Sequence, residues 1–522
     1  MNWRERLIWL GPVLSGLLIT ATFAPFEMAN AAWCALVPLL ISCAYVKPSS
    51  AWKLGWFTGM VFWLTVMWWL IRVTAVGWIL LCAYISLYFI PIAMMSAWWF
   101  RKYGIGNFLR NWAYILLVTV LWIASEFTRI NLFTGFPWNP LGASQYANIP
   151  LIQHASWGGV YAVSGLLVLA NASIAVTLLR YLQKQTRLGR KPHPELMLGM
   201  AVIVIAFVTG GKILREVNVD GEEVRMALIQ PSIAQYDKWT PEKVDSIYAQ
   251  LRELTSGAVI WTKPDLVVWP ETALPDELMY SERSYDLVDG LSRLGSPLLV
   301  GTMDAEYIAD QRPIFYNSSY LINTNGMAIQ KYDKRHLVLF GEYVPLHEHV
   351  RFITAMTPLA ESFSPGQTST VFQLPGKEVN FSSLICFEDA LAYLGRASVK
   401  NGARLLINQT NDGWFDPSAA SRQHMALAVF RAVENRVPMV RSANTGYTCA
   451  IDARGQIREM LTGENHRHDS SGFQLVTVHV PDQDMKYTFY TRHGDLLAWL
   501  CLLPGLGVWL MAWRDIRKPI FI

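Results

Sequence analysis

Eight apolar runs dominate this chain: about 7–26, 29–46, 54–71, 75–100, 112–127, 157–179, 196–211 and 496–513. A membrane span needs roughly 20 mostly apolar residues, so the runs predict an α-helical bundle of about eight transmembrane helices. Between the seventh and eighth runs the chain has ordinary polarity and is long enough for one large core. Three segments follow: seven helices over 1–214, a folded domain over 215–490, and a last helix with a basic tail over 491–522. Composition excludes simpler architectures. Charged residues make up 16% and hydrophobic ones 52%, where soluble domains carry roughly 25% charge, so a wholly soluble chain is ruled out. With 44 Lys+Arg and 40 Asp+Glu the net charge is +4, too near balance to argue for a nucleic-acid partner. The six cysteines have no metal-like spacing, and four of them lie in apolar runs, which argues against a disulfide framework.

Loop charge sets the orientation. Arg4 and Arg6 precede the first run, and Lys47 and Lys53 follow the second. Arg101, Lys102 and Arg110 follow the fourth, and Arg180, Lys184, Arg187, Arg190 and Lys191 follow the sixth. The alternate loops carry almost no basic residues. This places the N-terminus inside, the 215–490 domain outside, and Arg514, Arg517 and Lys518 inside again. The first run is an uncleaved helix in this reading, because no small-x-small site closes it. Glu126, near the end of the fifth run, is expected to snorkel to the outer surface. The loop 130–156, rich in Pro, Gly and aromatics, reads either as an interfacial connector or as a loop shaping a lipid entrance.

From residue 224 the pattern changes to short apolar strands alternating with helical segments, which predicts α/β layers around a buried sheet. Strands are expected at 224–233, 265–273, 297–304, 315–323, 327–334, 379–389, 403–412, within 438–454 and at 473–480, with helices near 241–256, 282–294 and 418–436. Polar residues recur where these strands end. VVWPET places Glu271 beyond one strand, LICFED places Cys386 at the end of another with Glu388 and Asp389 following, and KYDKRHLVLFGE spaces Lys334 eight residues from Glu342. Strand ends above a rigid sheet are where α/β folds assemble their chemistry. A Cys, a Glu and a Lys make a working set of nucleophile, proton acceptor and oxyanion stabiliser, and a nearby Lys⁺ favours the thiolate.

Each of these residues has a bland alternative. A Cys ending an apolar strand is often inert packing, as Cys449 is read here. A Glu after Pro caps helices, and a Lys after Asp333 is often a solvated charge. His336, His347, His349 or His424 would instead give a Cys–His pair. NQTNDGWF (408–415) and RSANTG (441–446) read on their own only as strand-to-loop turns.

Taken together, WPET, KYDKRHLVLFGEYVP, ICFED, NQTNDGWF and RSANTG resemble the nitrilase superfamily of carbon–nitrogen hydrolases, whose αββα sandwich uses Glu, Lys and Cys in that order. Such a domain between seven spans and one, with FAPFE (23–27) and GFPWNPLG (135–142), resembles the bacterial apolipoprotein N-acyltransferase family. The resemblance implies Glu271 as general base, Lys334 as oxyanion stabiliser and Cys386 as nucleophile. Glu342 would orient the site, the Phe387 N–H would bind the oxyanion, Glu388 would be required, and Trp239 would stand at the substrate entrance. It also implies a bacterial inner-membrane enzyme with a periplasmic catalytic domain and cytoplasmic termini. That enzyme would move an acyl chain from a phospholipid to a diacylated apolipoprotein, with no metal or soluble cofactor. A membrane-tethered amide hydrolase and a non-catalytic transporter or scaffold are the rival readings. Two departures stand out: Leu339 where the family usually has Pro, and Phe387 where Tyr is also common.

Overall fold

The computed structural model describes residues 3–183, 193–238, 240–307, 312–343, 362–415, 418–462 and 470–517. The chain divides into two compact units, Met1–Glu216 with Arg492–Ile522, and Val217–Thr491.

The first unit is all helical. Among the described residues, five helices are long and apolar enough to cross a membrane: Ala75–Tyr103, Phe108–Asn131, Val160–Leu182, Pro194–Glu216 and Leu496–Ile516. Their outward residues include Leu80, Val204, Ile205, Val208, Leu500 and Leu503, all more than half exposed, a pattern that suits lipid as solvent. The eight-span expectation goes beyond these five. The run 29–46 is two short pieces, a 3₁₀ turn Ala29–Trp33 and a helix Val37–Cys43 with Pro at its first turn. The break is held by buried Asn171, whose Oδ1 accepts from Leu36 N at 2.7 Å and whose Nδ2 donates to Ala32 O at 2.8 Å. Backbone freed inside an apolar medium needs such a partner.

Glu126 does not snorkel. It is 5% exposed, and its Oε1 accepts from Trp122 Nε1 at 2.8 Å and from Leu141 N at 2.7 Å. Arg129, one turn on, donates to Phe136 O at 2.6 Å and Trp138 O at 2.7 Å. Two charged side chains of one helix thus bind backbone groups of the following loop, and residues 137–145 are all buried. The loop is a packed part of this unit and no mere connector.

The second unit holds two six-stranded sheets. The strands are β1 (Glu222–Gln230), β2 (Leu266–Val268), β3 (Leu298–Glu306), β4 (Ile314–Ile322), β5 (Ala328–Asp333), β6 (Phe372–Gln373), β7 (Asn380–Ile385), β8 (Leu405–Thr410), β9 (Met439–Ala443), β10 (Cys449–Ile451), β11 (Ile457–Met460) and β12 (Gly472–Val480). One sheet runs β12-β1-β2-β3-β4-β5 and the other β11-β10-β9-β8-β7-β6. Their centres are parallel, β1-β2-β3 and β7-β8-β9, and their edges antiparallel.

Alternation along β1 assigns the layers. Val224, Met226 and Leu228 pack with Phe381, Leu405, Ile407 and Val440 between the sheets. Ala227 and Ile229 face the other way, onto Ile247, Leu251, Leu287 and Leu291 of helices Pro241–Thr262 and Glu282–Ser292. A period of two that is apolar on both faces is what a strand buried on both sides requires. Helices Ala392–Lys400 and Ala420–Asn435 cover the second sheet, completing an αββα sandwich. Two expected strands end early. β2 stops before Trp269-Pro270, and β7 stops at Ile385, where a 3₁₀ turn Cys386–Ala390 begins.

Candidate active site

Because β2 and β7 end early, Glu271 and Cys386 stand on turns at the ends of the two sheets. Cys386 adopts φ +52° and Thr272, beside Glu271, φ +41°. Such left-handed backbone is uncommon for non-glycine residues and marks a constrained turn.

Lys334 follows β5 directly and is 1% exposed, which removes the surface-charge alternative. Its Nζ lies 2.7 Å from Glu342 Oε1 and 3.4 Å from Glu271 Oε1. Asn317, on β4, donates through Nδ2 to both carboxylates, at 2.8 Å to Glu271 and 3.2 Å to Glu342, and its carbonyl accepts from Lys334 N at 2.8 Å. Two acids, one cation and one amide therefore form a closed set. Burial pushes the Lys334 ammonium down, but Glu342 and then Glu271 outweigh it and hold the group well above its ordinary value. It stays charged.

Cys386 is coupled electrostatically to Glu271 and Lys334. Burial and then the Glu271 charge push its thiol well above its ordinary value, while Lys334 and a hydrogen bond from Thr410 pull down. Lys334 favours the thiolate as expected, but it is engaged by two carboxylates, and burial with the Glu271 charge outweighs it and holds the thiol up. Cys449, by contrast, is fully buried in β10, its thiol pushed up to about 12 by burial.

Glu388 ties the Lys334 and Cys386 turns together. Its Oε1 accepts from Arg335 N at 2.8 Å and His336 N at 3.0 Å, and its Oε2 from Tyr332 Oη at 2.8 Å and Ile385 N at 2.9 Å. Burial raises its carboxyl against these donors. Glu342 likewise accepts from Val338 N at 2.8 Å through Oε2, closing the 338–342 turn with Leu339 in place. Phe387 lays its ring 6.2 Å from that of His336. Trp239, His347 and His349 lie outside the described residues. His424 is buried away from a Cys–His pair, between Asp389 and Asp412.

The structure gives roles to residues that were not candidates on their own, among them Asn408, Asn411 and Asn444 inside the NQTNDGWF and RSANTG motifs. Besides Asn317, Asn408 donates from Nδ2 to Cys386 O at 3.0 Å. Lys238, buried, donates to Thr272 Oγ1 at 2.7 Å and to Glu271 O at 3.3 Å. Asn411 and Asn444 hold the segment 233–235 by bonds to Gln235 and Ile233. A lone Asn in a strand carries no local signal. These partners become visible only once the sheets are assembled.

Two helix-covered sheets with their polar residues gathered at the strand ends define the class, a carbon–nitrogen hydrolase domain; residues 225–479 match the family model described as Carbon-nitrogen hydrolase. Residues 15–173 match the model described as Apolipoprotein N-acyltransferase N-terminal domain. An apolipoprotein N-acyltransferase of Geobacter metallireducens is 35% identical over 99% of this chain and 96% of its own length. One of Chlorobaculum tepidum is 28% identical over 97% and 96%. Among solved structures, Saccharomyces cerevisiae Nit3, of the nitrilase superfamily, aligns with 50% of this chain and 92% of its own at 20% identity and a TM-score of 0.38. The chain belongs to the apolipoprotein N-acyltransferase family.

Proposed function

We propose that this chain transfers an acyl group from a membrane phospholipid to the N-terminal amine of diacylated apolipoproteins, by way of a thioester on Cys386. The observation that carries the reading is the hydrogen-bonded set Glu271–Lys334–Glu342–Asn317, electrostatically coupled to a protonated Cys386. A thiol at rest needs a base at the moment of attack. Glu271 is the carboxylate whose charge the thiol feels most, and it takes the proton as Sγ adds to the ester carbonyl. Lys334 stays cationic and stabilises the oxyanion. Collapse expels the lysophospholipid alkoxide, to which Glu271 returns the proton. The amine then attacks the thioester, Glu271 takes a proton from it, and the sulfur leaves to be reprotonated.

Glu342 fixes the Lys334 ammonium, and Glu388 fixes the two turns that carry Lys334 and Cys386. The family resemblance assigns Trp239 to the substrate entrance and the Phe387 N–H to oxyanion binding. The alternation of loop charge supports an extracytoplasmic catalytic unit with both termini cytoplasmic.

The rival within the same fold is an amide hydrolase, in which water takes the acyl group. Incubating purified protein with phospholipid alone tests the reading. Cys386 should gain one hydroxylamine-labile acyl chain, seen by mass spectrometry of its peptide. Absence of any adduct on Cys386, with acyl transfer intact, would reject the assignment.

A further inference from the structure

Behind the Cys386 turn lies a charged cluster that no step of this reaction uses. His424, on helix Ala420–Asn435, faces two carboxylates: Nε2 is 2.6 Å from Asp389 Oδ1 and Nδ1 is 2.9 Å from Asp412 Oδ1. Arg441, on β9, pairs with Asp389 Oδ2 and lies 3.6 Å from Asp412 Oδ2. The four side chains are between 0 and 2% exposed, so an unbalanced charge among them would be costly. Asp389 belongs to the same 3₁₀ turn as Cys386. Asp412 opens the turn after β8, where its Oδ1 accepts from Thr410 Oγ1 at 3.4 Å, and its charge is among those that push the Cys386 thiol up.

We propose that His424 is a positioning residue for the Cys386 thiol, clamping the turn that carries Cys386 to the turn that follows β8. Both ring nitrogens can donate to carboxylates only in the imidazolium, so the geometry itself calls for a charged His424. Arg441 Nη2 lies 3.4 Å from His424 Nδ1 and forms an ion pair with Asp412 Oδ2 at 3.6 Å, without a hydrogen bond to it. Two cations then balance two anions. Burial pushes His424 down, but Asp389 and Asp412 outweigh it and raise it to about 9, against an opposing push from Arg441. Burial pushes Asp412 up, and His424 and Arg441 hold it below its ordinary value.

Among the described residues, the other charged and titratable groups packed here include Arg431, Glu434 and Cys449. Arg431 donates to Ala390 O at 2.8 Å and to Asp389 O at 3.2 Å while paired with Glu434. Cys449 on β10 is coupled to Arg441 and Asp389. Because the folded pKa of His424 is raised, its stabilising contribution is full below the ordinary 6.5 and is lost as pH climbs through about 9. Loss of that proton leaves a net negative cluster, and the Asp412 charge already pushes the Cys386 thiol up.

This inference rests on Cys386 being the nucleophile, and its test reads the thiol rather than turnover. The full-length protein in detergent is alkylated with iodoacetamide from about pH 6 to about pH 10, and the Cys386 peptide is quantified. His424→Gln leaves one uncompensated anion, so alkylation at fixed pH should slow on the order of tenfold. Asp412→Asn combined with His424→Gln restores neutrality and should recover most of that loss, which a merely structural role would not produce. A titration of His424→Gln matching the parent, or a double variant no faster than the single, would overturn the proposal. Should the variants not fold, the parent decides: intrinsic-rate-corrected hydrogen exchange of residues 386–390 should accelerate across about pH 9 while β1 stays protected. Flat protection there would equally overturn it. Failure of the parent to acylate Cys386 would instead count against the function proposed above.

Discussion

At Glu271 and Cys386 one charge has two opposite effects. The carboxylate is the base that acylation requires, yet its charge holds the Cys386 thiol up. Glu271→Gln should therefore slow acylation by phospholipid severely while making Cys386 more reactive toward iodoacetamide at about pH 8, because removing the anion enlarges the thiolate fraction. Both rates falling together would show Glu271 to be structural. Lys334→Arg keeps the charge but not the compact ammonium that fits between Glu271 and Glu342, and the two cations are not interchangeable. Its acylation rate should fall by about 10²-fold, the scale of losing one oxyanion donor; a near-normal rate would leave Lys334 without that role. Cys386→Ala should lose adduct and activity, whereas Cys449→Ala should keep both, as judged by acyl-peptide mass spectrometry. These three residues were legible in the sequence because each sits in a run of neighbours around a strand end. Asn317 was not, since it is a single polar residue whose partner Glu271 lies 46 positions away; the members of the His424 cluster fall in separate motifs with no sign that they meet.

Among the elements, the short turns carry the site and the strands only aim them. Glu388 is the lock between the Tyr332–His336 and Ile385–Cys386 turns, accepting three backbone N–H groups and one phenol. Glu388→Gln would turn an amide NH₂ toward donors and strand at least one of them. Unfolding of the catalytic unit should become easier by about 1–3 kcal/mol, read by denaturant titration; unchanged stability with lost activity would mean that Glu388 acts on chemistry directly. Strand existence was readable from apolar runs, but strand ends were not. Apolarity continues through Trp269 and Cys386, and only the turn backbone shows that the ladder has stopped. Glu126 misled for a related reason. Its acceptor role is filled by Leu141 N, a backbone group fifteen residues on, which no pattern in the helix itself announces.

Over the whole molecule, the basic residues alternate between successive loops while the apolar helices mark the membrane. Five helices meet span length among the described residues; of the remaining apolar runs, the first is helical over Trp3–Ala21, the second is broken after a 3₁₀ turn at Ala29–Trp33, and the third is helical to Val66 and then passes into a 3₁₀ turn. A reporter fused near residue 230 should lie outside and one after residue 518 inside; both on one side would remove the last crossing and the proposed topology with it. A long acyl chain, with each buried CH₂ worth about 0.8 kcal/mol, would stay bound between the two steps, and water-excluding surroundings would protect the thioester.

The central claim is that Cys386 holds an acyl group until an amine arrives. Release of lysophospholipid by purified protein, followed in time with phospholipid as the sole substrate, tests it most directly. The account predicts a burst of about one lysophospholipid per enzyme that then stops. Diacylated lipopeptide should restart turnover and yield N-acylated product, and its N-acetylated form should not. Sustained turnover to free fatty acid with phospholipid alone would contradict the account and make the protein a lipid hydrolase.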